Sequence, residues 1–530
     1  MTRARELAVL AVIALAFVLS LGRTVDYGYV WDDGPEIERN AAFDRPLLDG
    51  LLLTQTQRAV PELADLPSLQ FGYDSYRPLL YATYWCDIHA WGRDAGALHR
   101  TNVVLGALAV LLAYLVARRW LGSPLALVPT ALFALHPAQI ETVAYVSARG
   151  DLLAGLFALA ATYGVLRAVD ARARGRAIAW TGAAAVAFAA SLLSKEAYLA
   201  LPLALGVLVA SRPGGRARWW SAAALLGVAI AYVPVRGAMV ATVTSPAYGG
   251  ALAALPGVLL DYARIAALPF DLSIERAPHG SVVLGWAIAV GVVAVVAWRW
   301  LIAGRVLPPV WARPALAGVA WAVVLLGPSA IAVHTTNVVA DRYLYLPLFG
   351  LGVAAAAAGA RVAQARPRLA RPLIIAAALW AAMLAVVAWQ QVPVWQDMRA
   401  LYEHALEIAP DSARAHYRVA VLDTEAGRWD LAVPELERAI ELDPASFDAL
   451  NNLGVYELRT NRSADAEALL TRAVAANPAH FRSWLNLGLA QLAQGHRDAG
   501  CASIAHALAI NPRYEAARVE QQRSCAALTP

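Results

Sequence analysis

Charge is what this chain is short of. Only 16% of its 530 residues are Asp, Glu, Lys or Arg, while 59% are hydrophobic; soluble domains carry about a quarter charged residues. A water-soluble fold is thereby excluded for most of the length, and most of the chain is expected in lipid. Cysteine is nearly absent too. Three residues, Cys86, Cys501 and Cys525, cannot make a disulfide framework, and they form no Cys-x-x-Cys or Cys/His cluster of the kind structural zinc needs. Cys86 reads as a lone thiol of the membrane region; Cys501 and Cys525 can pair if the C-terminal segment faces an oxidising compartment. Lysine is scarce, so the formal charge of +5 rests on arginine. Those arginines fall in short loops between apolar runs, which is a topology signal and not a groove for nucleic acid.

What is abundant is apolar sequence in bilayer-sized runs. Leu7 to Gly22 follows a basic start, Arg3 and Arg5; it could be a cleaved signal peptide, but no small-x-small cleavage site follows and it is read as a first membrane helix. Further runs occur at 101–117, 122–137, 151–167, 178–194, 197–211, 219–236, 283–303, 314–333, 347–362 and 372–389, near the ~17 to 25 residues a span needs. These make eleven expected spans. With the N-terminus cytoplasmic, every inner loop is Arg-rich: Arg118 and Arg119; Arg167 to Arg176; Arg212 to Arg218; Arg299, Arg305 and Arg313; Arg361 to Arg371. The charge bias survives only if Ala251 to Leu268 is interfacial or re-entrant. An odd count sends the C-terminus outside, in a plasma (inner) membrane. The long outer loop 23–100 holds Pro46, Pro61 and Pro67, and aromatics at 76, 81, 84, 85 and 91 that suit either the interface or simple packing.

Beyond residue 390 the character changes. Pro410, Pro444, Pro478 and Pro512 recur every 34 residues, the tetratricopeptide period. Ala432 and Ala439, Ala466 and Ala473, Leu453-Gly454 and Leu487-Gly488 fall where paired helices approach closely, and Trp484 takes the first-helix aromatic position, which His416 and Leu450 occupy in the other units. The expected layout is a membrane domain 1–390, a linker and capping half-repeat 391–410, three repeats 411–512 and a capping helix 513–530. Such an array offers a concave surface for a polypeptide, or serves as a spacer. The fold class is therefore all-α: a polytopic membrane bundle followed by an α-solenoid.

The conspicuous polar groups of the membrane region lie at the expected outer ends of spans. Asp32 and Asp33 follow Tyr29-Val30-Trp31. His136, Glu141, Arg149 and Asp151 follow the third span, Lys195 and Glu196 the fifth, and Asp341-Arg342-Tyr343 the ninth; Arg77 stands in Tyr76-Arg77-Pro78. A charge at membrane depth costs roughly 2.5–3.5 kcal/mol, so such groups pair or serve a substrate. Lys195 beside Glu196 has a second, less favoured reading as a structural ion pair.

Taken together, Trp31-Asp32-Asp33, His136-Pro137 to Glu141 with Arg149, Ser194-Lys195-Glu196 and Arg342-Tyr343-Leu344-Tyr345-Leu346-Pro347 resemble the motifs of the transmembrane-and-tetratricopeptide-repeat (TMTC) O-mannosyltransferases. The order matches, and so do the terminal repeats. The resemblance implies a GT-C fold and transfer of a sugar, mannose, from a polyprenyl-phosphate carrier to an acceptor hydroxyl of protein Ser or Thr at the outer face. It further implies that Asp32 is the base, with Asp33 orienting it or sharing the role. Arg342 and Arg149, then Lys195 and His136, are expected at the donor phosphate, with Arg77 and Tyr343 in the same site. Glu141, Asp151 and Glu196 are expected to hold the cations or bind sugar hydroxyls. No metal ligand cluster is evident, although some GT-C enzymes place a divalent cation on such acids. Two other readings stand: an inactive membrane-anchored repeat scaffold for envelope proteins, and a transporter, which would favour charges deep within spans and symmetric halves.

Overall fold

Helix ends in this protein follow proline, glycine and short polar caps. Pro78 opens the helix Pro78–Trp91, and Gly92, at φ 75°, ends it. Asp94 then caps Ala95–Leu121 by accepting the Ala97 amide at 2.9 Å, and Gly122, at φ 81°, closes it. Proline lacks only an amide that a first turn leaves unpaired anyway, and glycine enters the left-handed region without a Cβ penalty. The computed structural model describes residues 2–51, 75–212, 219–239, 247–274, 276, 278, 280–288, 290, 312–336 and 338–525. It divides into a membrane unit that ends at Asp397 and a repeat unit that begins at Met398.

In the membrane unit, the first helix Arg3–Leu21 packs against Ala95–Leu121, where a Cβ on Gly106 would lie 2.6 Å from Phe17. Its Glu6 carboxylate is buried and bonded by Tyr114 at 2.9 Å and Ser123 at 2.5 Å. The helices Ala95–Leu121 and Arg149–Asp170 run side by side in the same sense, Arg174–Ser194 returns, and Leu201–Ser211 reverses again. Asp170 ties one end of this stack by accepting from Arg119 and Arg212, each at 3.0 Å. Chain sense puts Leu98, Asn102, Arg149 and Lys195 at the other end, so the arginine-rich turns and the candidate chemistry occupy opposite ends.

Among the described residues, eight helices are long and apolar enough to cross a membrane, and the expected total of eleven spans is not reached. Proline accounts for much of the difference. In the 122–137 run only Leu127–Leu135 is α-helical; it stops before His136-Pro137, and a separate helix, Gln139–Ala144, follows. The 314–333 run divides at Gly327-Pro328 into Arg313–Leu326 and Ser329–Thr336. Only Leu201–Ser211 is α-helical in the 197–211 run, because Glu196–Tyr198 forms a 3-10 turn. Conversely, the stretch 250–267, expected to be interfacial or re-entrant, has the length and apolarity of a span. Most of the 283–303 run, Pro61 and Pro67 lie outside the described residues. Tyr81 and Tyr84 belong to the core: Tyr81 stacks on Phe43 at 4.9 Å and donates to the Ala42 carbonyl at 2.7 Å.

The repeat unit is built from helix pairs: Ala413–Glu425 with Trp429–Leu442, Phe447–Arg459 with Ser463–Ala476, and Phe481–Ala493 with Arg497–Ile510. Met398–Ile408 precedes them and Glu515–Glu520 follows. Ala432, Ala439, Ala466 and Ala473 are fully buried between partners. Trp484 donates to the Pro478 carbonyl at 2.8 Å, and His416 reaches the Pro410 carbonyl at 2.9 Å in the equivalent way. Cys501 and Cys525 form a disulfide, Cα to Cα 5.7 Å. A Cβ at Gly454 would stand 2.7 Å from Leu470, and one at Gly488 the same distance from Ile504. Gly454→Val is therefore expected to destabilise the repeat unit by about 1–3 kcal/mol through overpacking, measured as earlier proteolysis of the 398–525 region in a urea series.

Candidate functional site

The segment Gln139–Asp151 is the spine of the site. It is a helical turn, an extended joint at Tyr145, a 3-10 turn and the start of the next helix. Six of its side chains, at 139, 141, 145, 147, 149 and 151, each take a different partner. Gln139 donates to the Tyr345 carbonyl at 3.2 Å; Glu141 accepts from the Arg342 amide at 2.9 Å and pairs with the Arg342 guanidinium. The Tyr145 hydroxyl donates to Asp32 Oδ2 at 2.9 Å, while the Ser147 amide and hydroxyl both donate to Asp33 Oδ1 at 2.7 Å. Arg149 pairs with Asp87 at 2.7 Å, and Asp151 with Lys195 at 2.6 Å.

The two adjacent acids have different surroundings. Asp32 is exposed, and among the described residues only Tyr145 bonds its carboxylate. Asp33 is fully buried and also accepts the Val30 amide at 3.1 Å through Oδ2. Burial pushes Asp33 up to about 7 against the donors from Ser147 and Val30 that favour its charge. Between Val30 and the acids, Trp31 has φ 55°, a left-handed conformation unusual for a bulky residue. The strained turn is over-determined on several sides, as such strain requires. Trp31 stacks on Tyr145 at 5.5 Å, the Arg342 guanidinium lies 5.8 Å from its ring, and Arg93 donates to the carbonyls of Ile37 and Glu38 at 2.7 and 3.1 Å.

Three cations converge here, each backed by a carboxylate. Arg342 has Glu141, Lys195 has Asp151, and Arg77 reaches both oxygens of Glu196 at 3.3 Å. Burial works to raise the Glu196 carboxyl, but Arg77 and Lys195 outweigh it and hold Glu196 at about 2. Burial lowers Lys195, which lies in the field of Asp151, Arg77 and Arg342 together. Lys195 is the only lysine among the 44 Lys and Arg residues. Tyr343 packs beside Arg342, its ring 5.3 Å from the guanidinium.

Arg149 and His136, expected at the donor phosphate, have other roles in the structure. Arg149 is fully buried, and its Nε, Nη1 and Nη2 donate to Asn102 at 2.6 Å, Asp87 at 2.7 Å and the Leu98 carbonyl at 2.8 Å. The His136 ring is engaged at both nitrogens, with the Ala138 amide at 3.2 Å and the Ala266 carbonyl at 3.3 Å. Both side chains satisfy the protein's own polar groups, as buried groups must. Sequence reasoning missed Tyr145, Ser147, Asp87, Arg93 and Arg276. Arg276 pairs with Asp341 at 2.6 Å, and its carbonyl accepts the Val339 amide at 2.9 Å, which fixes the segment leading to Arg342. The alternation of polar residues at 145, 147, 149 and 151 was the one visible signal for Tyr145 and Ser147.

Residues 91–237 match the family described as Dolichyl-phosphate-mannose-protein mannosyltransferase, and residues 420–478 and 452–499 match the Tetratricopeptide repeat. The first match contains the spine and Lys195-Glu196, and leaves Asp32 and Arg342 outside it. The chain is similar to Protein O-mannosyl-transferase Tmtc1 of Drosophila melanogaster, 38% identical over 142 residues, which are 26% of this chain and 16% of that protein. It is similar to Tmtc2 of the same organism, 34% identical over 34% of this chain and 19% of that protein. It is also similar to TMTC1 of Homo sapiens, 33% identical over 18% of this chain and 11% of that protein. The aligned stretch thus spans less than a fifth of the length of each curated relative.

Removing one member of a buried ion pair strands the other charge. Arg149→Ala is expected to cost about 3–5 kcal/mol and to appear as loss of monodisperse protein in detergent, whether or not a lipid phosphate is added.

Proposed function

We propose that the chain is a membrane glycosyltransferase that moves mannose from a polyprenyl-phosphate carrier to an acceptor hydroxyl, that of a protein Ser or Thr. The reaction takes place at the outer face of a plasma (inner) membrane. The observation that carries this reading is an exposed Asp32 carboxylate, bonded by Tyr145, directly after Trp31, whose ring lies 5.8 Å from the Arg342 guanidinium. The mannosyltransferase match over residues 91–237 supports it.

In the proposed reaction the acceptor hydroxyl gives its proton to Asp32 as its oxygen attacks the anomeric carbon. The bond from that carbon to the phosphate oxygen breaks, and the electron pair leaves with the lipid phosphate. Arg342, Lys195 and Arg77 stabilise the charge that grows there, in a site where Glu141, Asp151 and Glu196 keep them oriented. Asp33 holds the turn from below through Ser147 and Val30. A divalent cation chelated by the adjacent acids does not fit this arrangement, because both Asp33 oxygens face amide and hydroxyl donors. The Cys501–Cys525 disulfide supports an oxidising compartment for the repeat unit, which would then help bind the polypeptide acceptor or a partner.

Reconstituted with labelled polyprenyl-phosphate mannose and a membrane-protein extract, the wild-type protein is expected to label protein. Asp32→Asn should fall by a factor of about 100 or more. Equal transfer by both would overturn the assignment, and no transfer by either would favour the scaffold. Since Lys195 is the only lysine, an amine-selective reagent reports on that side chain and the N-terminus alone. Polyprenyl phosphate is expected to protect Lys195 and leave the N-terminus reactive; equal labelling with and without the lipid would remove Lys195 from the donor site.

A further inference from the structure

We propose that Tyr145 is the positioning residue that aims the Asp32 carboxylate, and that Trp395, in the segment leading into the repeats, holds the tyrosine ring in place for it. The inference rests on Asp32 as the proton acceptor of the reaction above.

A carboxylate used as a base has to present one oxygen to the incoming proton while something fixes its rotation. Tyr145 supplies that restraint, donating to Oδ2 at 2.9 Å and leaving Oδ1 without a hydrogen bond among the described residues. The phenol sits at the extended joint between two helical segments, at φ −82° and ψ 112°, and is almost fully buried. Burial raises its hydroxyl well above the ordinary tyrosine range, so it remains protonated and can only donate to the acid. The charged groups that face the pair are Asp33 and Glu36 from the same turn and Arg342 from the opposite segment.

The ring is held by its neighbours. Tyr145 stacks on Trp31 at 5.5 Å with planes 26° apart, and on Trp395 at 6.0 Å with planes 28° apart. Trp31 immediately precedes Asp32 and occupies the left-handed region, a conformation that relaxes unless packing opposes it. Trp395 is buried at the end of the turn Val392–Trp395. The next residue, Gln396, accepts the Gly28 amide at 3.2 Å, four residues before Asp32. Higher up the same strap, Arg23 donates to the Trp389 carbonyl at 3.2 Å and lies 4.5 Å from its ring. The end of the last membrane helix is thus bonded to Arg23, and the segment that leaves it is bonded to Gly28 and stacked on the residue that orients the acid. Trp395 stands three residues before Met398, where the repeat unit begins, so the strap belongs to the acid's surroundings.

The test compares Tyr145→Phe, Trp395→Phe and Trp395→Leu in the full-length protein, with labelled polyprenyl-phosphate mannose as donor. Tyr145→Phe keeps the ring and removes the hydrogen bond. It is expected to lower kcat about 10-fold or more while KM for the donor stays within about twofold. Loss of a donor favours the protonated carboxyl, so the acid limb of the rate profile should move to higher pH. Trp395→Leu should move kcat and the limb in the same direction, and Trp395→Phe should restore both. A purely structural role would instead lower the unfolding temperature and leave the limb where it was. Wild-type kcat and limb in Tyr145→Phe, with Asp32→Asn inactive, would overturn this inference alone. Full activity in Asp32→Asn would overturn the reading on which it rests. If Tyr145→Phe does not fold, the two Trp395 variants decide: identical profiles would overturn the role given to the stack.

Discussion

A guanidinium shut away from water must find all its partners within the protein, and the membrane unit is organised around one that does. Arg149 takes Asp87 from the helix Pro78–Trp91, and Asn102 and the Leu98 carbonyl from Ala95–Leu121. Its own position is the first residue of Arg149–Asp170. Three helices are therefore brought to one level by a single side chain. The cost of stranding that charge makes their register far stricter than apolar packing alone would. Everything near Asp32 is hung from this level: Tyr145 and Ser147 lie just upstream of Arg149, and Asp151 just downstream.

Much of this was legible in the sequence, and the part that was not has a physical reason. The repeats announced themselves because a 34-residue period is a one-dimensional property, and small residues recur with it, as at Ala439, Ala473 and Ala507. The collection of acids and cations at one end was legible because up-and-down helices convert chain order into sides. Individual roles were not. Arg149 and Arg342 look alike as isolated arginines at the ends of spans. One is enclosed by Tyr84, Asp87, Asn102 and Leu98; the other lies partly open beside Trp31. That difference is made by residues 47 to over 300 positions away. Span lengths were misjudged where a hydropathy window averages across Pro137 or Pro328 without registering the missing amide.

The paired acids teach a similar lesson. Adjacent carboxylates in sequence suggest a shared task, yet a tight turn sends neighbouring side chains in different directions. Asp33 becomes a buried acceptor for Ser147 and Val30, and Asp32 is left to the surface with one phenolic contact. The left-handed conformation of Trp31, which leads into them, is one the sequence does not mark.

For the proposed reaction, the matched carboxylates behind Arg77, Lys195 and Arg342 have a consequence for turnover. A bare cation at membrane depth would cling to any anion that reached it, and a spent lipid phosphate would act as a product inhibitor. With Glu196, Asp151 and Glu141 already in place, each cation falls back on a resident counter-ion when the ligand departs. In the proposed reaction a departing lipid phosphate would leave no unbalanced charge behind, so a site built in this way exchanges tightness of grip for ease of vacating.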